Sequence, residues 1–418
     1  MAIFPSPQPP NSLEAAGLAQ ALVEDLVLKH LLALGEFKLA DVAQRVRLPI
    51  SLVELVLEEH RRENRIEVKG SPNYAKTSYV FRLTELGRRK GQELQEHCRY
   101  TGPAPVSLKD YREMVQKQTL RGAAGGEEPL KKALSHLVLD KAVLQRLGPA
   151  MTSGQALFIY GPSGNGKTSI AEAVGRALPD NVYVPYAVTI GGEIVSVFDP
   201  VCHTVVETSG DARECDSRWV LIKRPVVTAG GELSLKMLDL NYSHASGYYE
   251  ASLQMKANNG LFILDDFGRQ QSDPAHILNR WVVPLDRHID HMTLENGMRF
   301  AIPFDVLVIF STDLDPKDLV QEAFLRRMRY KIRIDRPTED EYLEIFKKEC
   351  QSAGMKFCGE AYSYLDEQWY GANSMLRSAC HPRDLIDHIV NYSRFYGKSP
   401  QLTRESLSAA CADYFVLM

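Results

Sequence analysis

The segment ALFIYGPSGNGKTS, residues 156 to 169, constrains the fold of this chain more than any other stretch. Its apolar run LFIY predicts a buried strand, and Gly161, Gly166, Lys167 and Thr168 then fit the spacing G-x-x-x-x-G-K-[ST]. Glycines at these positions let backbone N–H groups surround a phosphate at the N-terminus of the next helix. A strand, a glycine loop and a helix in this order predict an α/β fold with a parallel sheet.

The polar residues of this loop predict its chemistry. We expect Lys167 to reach the β- and γ-phosphates of a nucleotide and the Thr168 hydroxyl to bind Mg²⁺. A glycine-rich turn without a ligand is the alternative, which the strand pattern just before the loop disfavours. The loop residues assigned to nucleotide binding are Gly161, Pro162, Ser163, Gly164, Asn165, Gly166, Lys167, Thr168 and Ser169.

A second apolar run, LFIL at 261 to 264, is followed directly by Asp265 and Asp266. Adjacent aspartates repel each other unless a positive charge lies beside them. A Mg²⁺ ion carried in by a nucleotide would supply that charge, with Asp265 and Thr168 as its protein ligands and Asp265 acting through water. Asp266 would orient and deprotonate the attacking water. A solvated acidic turn is the alternative, and a poor one, because the glycine loop already requires such a neighbouring strand.

Length and composition exclude some classes of protein. The 418 residues predict two or three domains, and a net charge of −4 excludes a globally basic DNA-coating protein. The seven cysteines form no CxxC pair, which is typical of reduced thiols rather than of a disulfide or zinc framework. The sequence shows no signal-peptide pattern and no apolar run approaching the roughly 18 residues of a membrane span. We therefore expect a cytoplasmic protein without a membrane partner.

Periodicity divides the chain into five predicted regions. Prolines in residues 1–14 predict a short disordered tail. In 15–98, three helices and two β-like runs resemble a winged helix-turn-helix domain. Glycine- and proline-rich ends predict a linker with one short helix at 99–128. Apolar runs alternating with helical segments predict an α/β core at 129–336, with an insertion near 200–255, and residues 337–418 are predicted to be helical.

Residues 130 to 418 resemble the AAA+ ATPases. GPSGNGKT is similar to Walker A and FILDD to Walker B. VLVIFSTD at 306–313 resembles sensor 1, EAFLRRMRYKI at 322–332 resembles the arginine-finger segment, and CHPRDLIDHI at 380–389 resembles the sensor 2 helix. These five motifs follow one another in the same order as in the family. The resemblance implies a P-loop α/β core with a C-terminal helical lid and Mg²⁺-dependent hydrolysis of ATP to ADP and phosphate.

The resemblance also implies roles for residues outside the glycine loop. Arg383 of the lid would contact ATP, and Arg327, or Arg326, of a neighbouring subunit would act as an arginine finger.

Two positions depart from the family pattern. Asp266 stands where glutamate is usual, and Asp313 follows Thr312 where sensor 1 usually has asparagine or threonine. An anionic Asp313 near the γ-phosphate would repel it, so Asp313 is protonated or binds metal, or Thr312 takes the role.

Two additions to the core narrow the resemblance within the family. The stretch between Lys167 and Asp265 is about twice the roughly 45 to 50 residues that two helices, two strands and their loops would fill. MTLENGMRFAIPFD at 292–305 predicts a hairpin with Asn296-Gly297 as a type I′ turn. An insertion together with such a hairpin resembles the MoxR-like branch and its close relatives. This resemblance implies a homo-oligomeric ring, a hexamer by resemblance, that remodels a protein client.

A DNA-binding switch is the alternative function. The winged helix would bind DNA, and ATP would only control assembly of a regulator or a transposition-type helper. Basic residues around the wing favour this function: Arg61, Arg62, Arg65, Lys69 and Lys76. Acidic residues on the third helix oppose it, because a recognition helix should not present acids to phosphates: Glu54, Glu58 and Glu59.

Overall fold

The computed structural model describes residues 4–70, 79–122, 126–207, 215–319, 322–372 and 375–415. Lys76, one of the basic residues weighed for DNA binding, lies outside these ranges. The chain forms two compact units. The first comprises Met1–Ala124, Leu178–Phe262 and Gln270–Val308, and the second comprises Gly125–Ala177, Ile263–Arg269 and Ile309–Met418.

The N-terminal part of the first unit contains four helices and a small sheet. Its elements are α1 (Gln20–Leu32), β1 (Glu36–Lys38), α2 (Leu39–Val46), α3 (Ile50–Arg62), β2 (Ile66–Gly70), β3 (Val80–Leu83) and α4 (Glu85–His97). The sheet is antiparallel with the order β1-β3-β2, and its short strand β1 was not predicted from the sequence. Apolar positions three and four apart, such as Val23, Leu26 and Val27, place one face of α1 in the core.

Residues 4–14 differ from the predicted disordered tail. The Asp216 backbone N–H donates a 2.7 Å hydrogen bond to the Pro7 carbonyl. The Phe4 ring lies 5.7 Å from the Arg224 guanidinium, within the range of a cation–π contact. Proline content gave no sign of these contacts, because their partners lie about 200 positions along the chain.

The predicted linker is also packed. Strand β4 (Val106–Ser107) and helix α5 (Leu108–Lys117) lie at 99–128 and contribute to a hydrophobic core. Tyr111, Met114 and Val115 share one face of α5 and are buried. Burial of that face integrates the segment into the first unit.

The insertion begins earlier than its predicted boundary near 200. The first unit resumes at Leu178 and contains β6 (Asn181–Pro185), β7 (Ala187–Ile190), β8 (Glu193–Ser196), β9 (Trp219–Lys223), β11 (Asn241–Ser243), β12 (Tyr248–Glu250) and α9 (Leu253–Lys256). These strands form one sheet of order β11-β12-β8-β7-β4 and the antiparallel pair β6-β9. Strand β10 (Val226–Ala229) falls within 200–255 but belongs to a different sheet. The sequence did not predict this, because consecutive short strands do not reveal their pairing partners.

A hairpin follows helix α10 (Pro274–Arg287). Strands β14 (Ile289–Thr293) and β15 (Arg299–Pro303) pair antiparallel, as predicted. The turn is not type I′, because that turn needs positive φ at both central residues and only Gly297, at +83°, has it. The Leu294 N–H donates to the Met298 carbonyl and the Gly297 N–H to the Leu294 carbonyl, which makes a three-residue loop ending in a left-handed glycine.

The central α/β sheet has the order β10-β13-β16-β5-β17. Its remaining strands are β5 (Leu157–Tyr160), β13 (Leu261–Leu264), β16 (Leu307–Thr312) and β17 (Tyr330–Arg333). β5 pairs in parallel with both β16 and β17, so the predicted α/β class with a parallel sheet is confirmed. The helices of this part are α6 (Glu127–Leu134), α7 (Lys141–Ser153), α8 (Lys167–Arg176), α11 (Pro316–Leu319) and α12 (Glu322–Leu325).

The C-terminal region is helical, as predicted. It contains α13 (Glu339–Ser352), α14 (Gly359–Leu365), α15 (His381–Phe395) and α16 (Arg404–Tyr414). Thr338 and Glu341 form a capping box that starts α13. Tyr342, Phe346 and Leu385 are fully buried in the core of this helical region. Within the described ranges, none of the helices combines the length and the apolar character needed to cross a bilayer.

Candidate active site

The glycine loop connects β5 to α8, and its conformation requires glycine at two positions. Gly161 has φ +138°, and a Cβ atom there would lie 2.1 Å from the Ile334 carbonyl oxygen. Gly164 has φ +76°, and a Cβ atom there would lie 2.6 Å from the Cys380 sulfur. Any side chain would therefore collide with β17's end or with the segment before α15.

Hydrogen bonds join the loop to the helical region within the second unit. The Cys380 N–H donates to the Gly164 carbonyl at 2.8 Å, and the Ala379 N–H donates to Asn165 Oδ1 at 3.1 Å. The Asn165 side-chain amide in turn donates to the Pro162 carbonyl at 3.0 Å. Asn165 thus connects the loop's own backbone to the N-terminus of α15.

Lys167 lies inside the loop. Its Nζ donates to the Gly161 carbonyl at 2.9 Å and to the Pro162 carbonyl at 3.0 Å, and the residue is only 8% exposed. Burial lowers the pKa of the Lys167 ammonium, and the nearby carboxylates of Asp313, Asp266 and Asp265 oppose that change. These carboxylates therefore stabilise the Lys167 cation inside the loop.

Thr168 and Asp265 form a pair of oxygen ligands. The Thr168 hydroxyl lies 3.0 Å from Asp265 Oδ1 and 2.8 Å from Oδ2, and donates to this carboxylate. Within the described residues no group of three or more His, Cys, Asp or Glu could hold a metal ion. Mg²⁺ needs no such cage, because it keeps several waters and takes one or two protein oxygens plus phosphates. The pair therefore fits a nucleotide-borne Mg²⁺.

A cavity of about 520 Å³ lies beside the loop, and all of its lining belongs to the second unit. Loop residues from Ser163 to Ser169 line it together with Asp266, Ser311 and Arg383. Asp266 is exposed and has φ +47°, a left-handed conformation that aspartate tolerates better than most residues. The cavity brings the loop's Lys167 and Thr168 together with Asp266 and Arg383.

Asp313 and Thr312 do not line the cavity. An Asp313 Oδ2 oxygen lies 2.6 Å from Nη2 of Arg269, so the cation beside Asp313 is a protein guanidinium, a partner the sequence did not suggest. The Thr312 hydroxyl is buried and donates to the Phe267 carbonyl at 2.7 Å. At the end of β16 the cavity is lined by Ser311, which sequence reasoning missed.

Arg383 is at the start of α15, on the rim of the cavity. Its guanidinium lies 3.1 Å from Asp384 Oδ1, and the Tyr414 hydroxyl donates to the other oxygen of that carboxylate at 2.9 Å. Glu349 of α13 also lines the cavity, and burial raises the pKa of its carboxyl while Arg383 opposes that rise. Glu349 belongs to no recognised sequence motif, so only the packing of the helices shows that it lines the cavity.

Arg326 and Arg327 lie in the turn after α12. Both are exposed, and neither lines the cavity of its own chain. The Arg327 N–H donates to the Phe324 carbonyl at 2.9 Å, which fixes the backbone of this turn.

The sheet, the glycine loop with its lysine and threonine, and the acidic end of β13 define a P-loop NTPase fold. Residues 338–413 match a family model described as a domain of unknown function (DUF8689). No curated protein matches the chain.

Two solved structures illustrate what the chain is similar to. NtrX from Brucella abortus, in complex with ADP, has 15% sequence identity and a TM-score of 0.42, with 69% of this chain and 58% of NtrX covered. The match therefore spans less than two thirds of NtrX. RuvB, the Holliday junction branch migration motor of Thermotoga maritima, has 13% identity and a TM-score of 0.36, with 69% of each chain covered.

Proposed function

We propose that this protein is a Mg²⁺-dependent AAA+ ATPase that assembles into a ring and remodels a protein client. The observation that supports the activity most directly is the single cavity shared by Lys167, Thr168, Asp266 and Arg383. Bound Mg²⁺ would be held by Thr168 and Asp265 and would offset phosphate charge. Release of phosphate from ATP by the full-length chain, measured with and without EDTA, tests the proposal, and absence of any Mg²⁺-dependent release would refute it.

Three charged residues of the cavity have separate roles in this proposal. Lys167 would leave the loop carbonyls and bind the β- and γ-phosphates, while the loop N–H groups bind the remaining oxygens. Asp266 would accept the proton of the attacking water, and Arg383 would bind phosphate from the lid. The segment Leu137–Leu139 and Ile345 supply apolar lining near the loop, which suits a nucleotide base.

The exposed positions of Arg326 and Arg327 favour a site completed by a neighbouring copy. Since neither lines the cavity of its own chain, a finger role requires a second subunit. We expect Arg327→Ala to leave ATP affinity nearly unchanged and to lower turnover by roughly 10³ to 10⁵, the value of related fingers. Mixing this variant with Lys167→Ala subunits should restore some phosphate release, because each supplies what the other lacks.

Arg329→Ala is the matched control for that experiment, since Arg329 is another exposed arginine of the same turn. Failure of mixed rings to recover activity would point to Arg326 as the finger or to a site complete within one chain.

The Arg269–Asp313 pair gives a prediction about charge. Without Arg269, the Asp313 carboxylate would oppose phosphate binding, so Arg269→Gln should weaken ATP binding roughly two- to fivefold, as expected for an ion pair with an exposed partner. Adding Asp313→Asn to Arg269→Gln should restore the affinity for ATP. Asp313→Asn alone should not raise turnover. Equilibrium binding of a fluorescent ATP analogue measures the effect, with Arg176→Gln on α8 as the control.

If the double variant binds ATP more weakly than Arg269→Gln alone, Asp313 is not a charge that Arg269 offsets.

The insertion and the hairpin support client remodelling. Residues of the hairpin turn contact the insertion within the first unit: the Glu295 N–H donates to the Tyr249 hydroxyl at 2.9 Å. Glu295, Asn296 and Gly297 are exposed at the tip. An Asp266→Asn protein that holds ATP without turning it over should trap the client, which co-purification would identify.

Ion pairs within the winged-helix-like region argue against DNA binding by that region, because they already neutralise several of its cations. Several form ion pairs with glutamates of the same region: Arg62 with Glu59, Arg65 with Glu63, Lys69 with Glu36, and Arg82 with Glu67. Exposed apolar side chains on α3, Ile50 at 50% and Leu55 at 61%, suit a protein partner better than phosphates.

We therefore expect the full-length protein to show no measurable complex with duplex DNA at physiological ionic strength, with or without ATP. Any weak binding at low salt should fall with a log–log slope of about −0.9 per phosphate contact. Fluorescence anisotropy of labelled duplexes measures it. Sub-micromolar, sequence-selective binding that is lost on changing Arg61, Arg62 and Lys69 to alanine would favour the DNA-regulator function instead.

A further inference from the structure

A second large cavity, of about 710 Å³, lies in the first unit. Its walls are α5, the segment from Thr119 to Arg121, the end of α10, and residues 301–305, which are the end of β15 and the two residues after it. None of its lining residues lines the cavity beside the glycine loop. The proposed ATPase activity therefore makes no use of it.

Three arginines from three different segments line this cavity: Arg112, Arg121 and Arg287. Arg112 is held in place, because its Nε and Nη2 both donate to the Ala301 carbonyl at 2.8 and 2.5 Å. Arg287, in the last turn of α10, is exposed and has no partner among the described residues. One fixed guanidinium and one unpaired guanidinium thus line the same space.

One nitrogen of the Arg121 guanidinium lacks an acceptor within the described part of the chain. Its Nη2 donates to the Phe304 carbonyl at 3.2 Å, but its buried Nε has no hydrogen-bond partner within the described part of the chain. The nearest carboxylate oxygen, Asp305 Oδ1, lies 3.8 Å from that nitrogen, beyond hydrogen-bond distance. Burial lowers the pKa of the Arg121 guanidinium. A partly desolvated cation without full hydrogen bonding is stabilised by a nearby anion.

Asp305 makes no hydrogen bond to these three arginines, because other donors occupy its oxygens. The Thr119 hydroxyl donates to Oδ1 at 2.8 Å, and the Leu120 N–H and the Asn259 amide donate to Oδ2 at 2.9 and 2.7 Å. Asp305 is the lone carboxylate in the lining, so three arginines leave an excess of positive charge.

We propose that this cavity binds a phosphate monoester through Arg112, Arg121 and Arg287. A monoester carries about −1.5 to −2 charge at pH 7 and three terminal oxygens, which matches the excess positive charge and the three guanidiniums. A phosphodiester or a carboxylate carries a single charge and leaves part of the excess uncompensated. The cavity's size is in the range of small-molecule sites, and Ile289 and Pro303 add apolar lining for the body of the ester.

His288 is consistent with such a ligand. It ends α10 and lines the cavity, and burial together with the nearby Arg121 lowers the pKa of its imidazole. The cation set therefore consists of the arginines alone, and a bound dianion would offset the charge that opposes protonation of His288.

Calorimetric titration of the full-length protein with ribose 5-phosphate tests the proposal, with ADP and Mg²⁺ present to saturate the glycine loop. Ribose and dimethyl phosphate serve as the uncharged and the singly charged comparison ligands. We expect ribose 5-phosphate to bind, and both comparison ligands to bind at least about tenfold more weakly. A capped phosphoserine peptide, titrated in parallel, distinguishes a protein-borne monoester from a small-molecule one according to which of the two binds more tightly.

Arg287→Gln should weaken ribose 5-phosphate binding about tenfold, as expected for loss of a charge-assisted hydrogen bond. The variant should fold normally, because Arg287 has no partner among the described residues. Arg299→Gln, an exposed arginine at the other end of the hairpin, should have no effect. Absence of binding by either monoester at millimolar concentration, equal binding of dimethyl phosphate, or equal effects of the two substitutions would overturn the proposal.

Discussion

Replacing Lys167 with alanine should reduce affinity for Mg²⁺-ATP by about a hundredfold or more. Lys167 is the cation inside the glycine loop, and the two or more charge-assisted hydrogen bonds it would make to β- and γ-phosphate oxygens are worth roughly 1.5 to 3 kcal/mol each. Its removal also leaves the carboxylates of Asp265 and Asp266 without the nearby ammonium. Equilibrium binding of a fluorescent ATP analogue measures the loss.

Two control variants separate charge from packing in that experiment. Lys167→Met keeps most of the side chain's volume and should lose affinity as severely as Lys167→Ala. Lys141→Ala removes an exposed lysine at the first residue of α7 and should change nothing. Near-normal ATP affinity in both Lys167 variants would show that the loop is not the phosphate site.

Replacing Asp266 with asparagine should give a protein that binds ATP within about threefold of the original affinity and hydrolyses it roughly a hundredfold or more slowly. The carboxylate is the proposed acceptor of the water's proton, and positioned acid–base groups contribute roughly 10²- to 10⁴-fold in rate. Thr168 and Asp265 are unchanged, so Mg²⁺-dependent binding should persist. Single-turnover phosphate release and ATP binding, measured on one preparation, separate the two effects.

Asparagine is the appropriate substitution because Asp266 has φ +47°, a conformation that asparagine tolerates better than alanine. Asp318→Asn, at an exposed carboxylate on α11, is the matched control. Normal turnover in Asp266→Asn would remove this residue from the catalytic role.

The α/β class was predictable because it depends on local patterns. A four-residue apolar strand, a glycine loop and a lysine-led helix are consecutive in sequence, so the residues that surround a phosphate are already neighbours. The helical C-terminal region was predictable for the same reason, since Thr338 and Glu341 form a capping box three residues apart.

The division between insertion and core was not predictable. The pattern of apolar residues does not show that β7 pairs with β4 and β8 while β10 joins the central sheet. Strand pairing depends on residues far apart in the chain, and it placed the insertion's start at Leu178 rather than near 200. The same long-range contacts made residues 4–14 and α5 parts of the first unit.

By itself, the sequence determined which residues form the glycine loop and which acids follow the neighbouring strand, because spacing along one strand–loop–helix unit sets their positions. Only the tertiary structure decided which side chains at the strand ends reach the cavity. Ser311 lines it, Thr312 bonds to the Phe267 carbonyl, and Asp313 pairs with Arg269. Three consecutive residues differ in this way because each contacts a partner about 45 positions away or a cavity built from six separate segments.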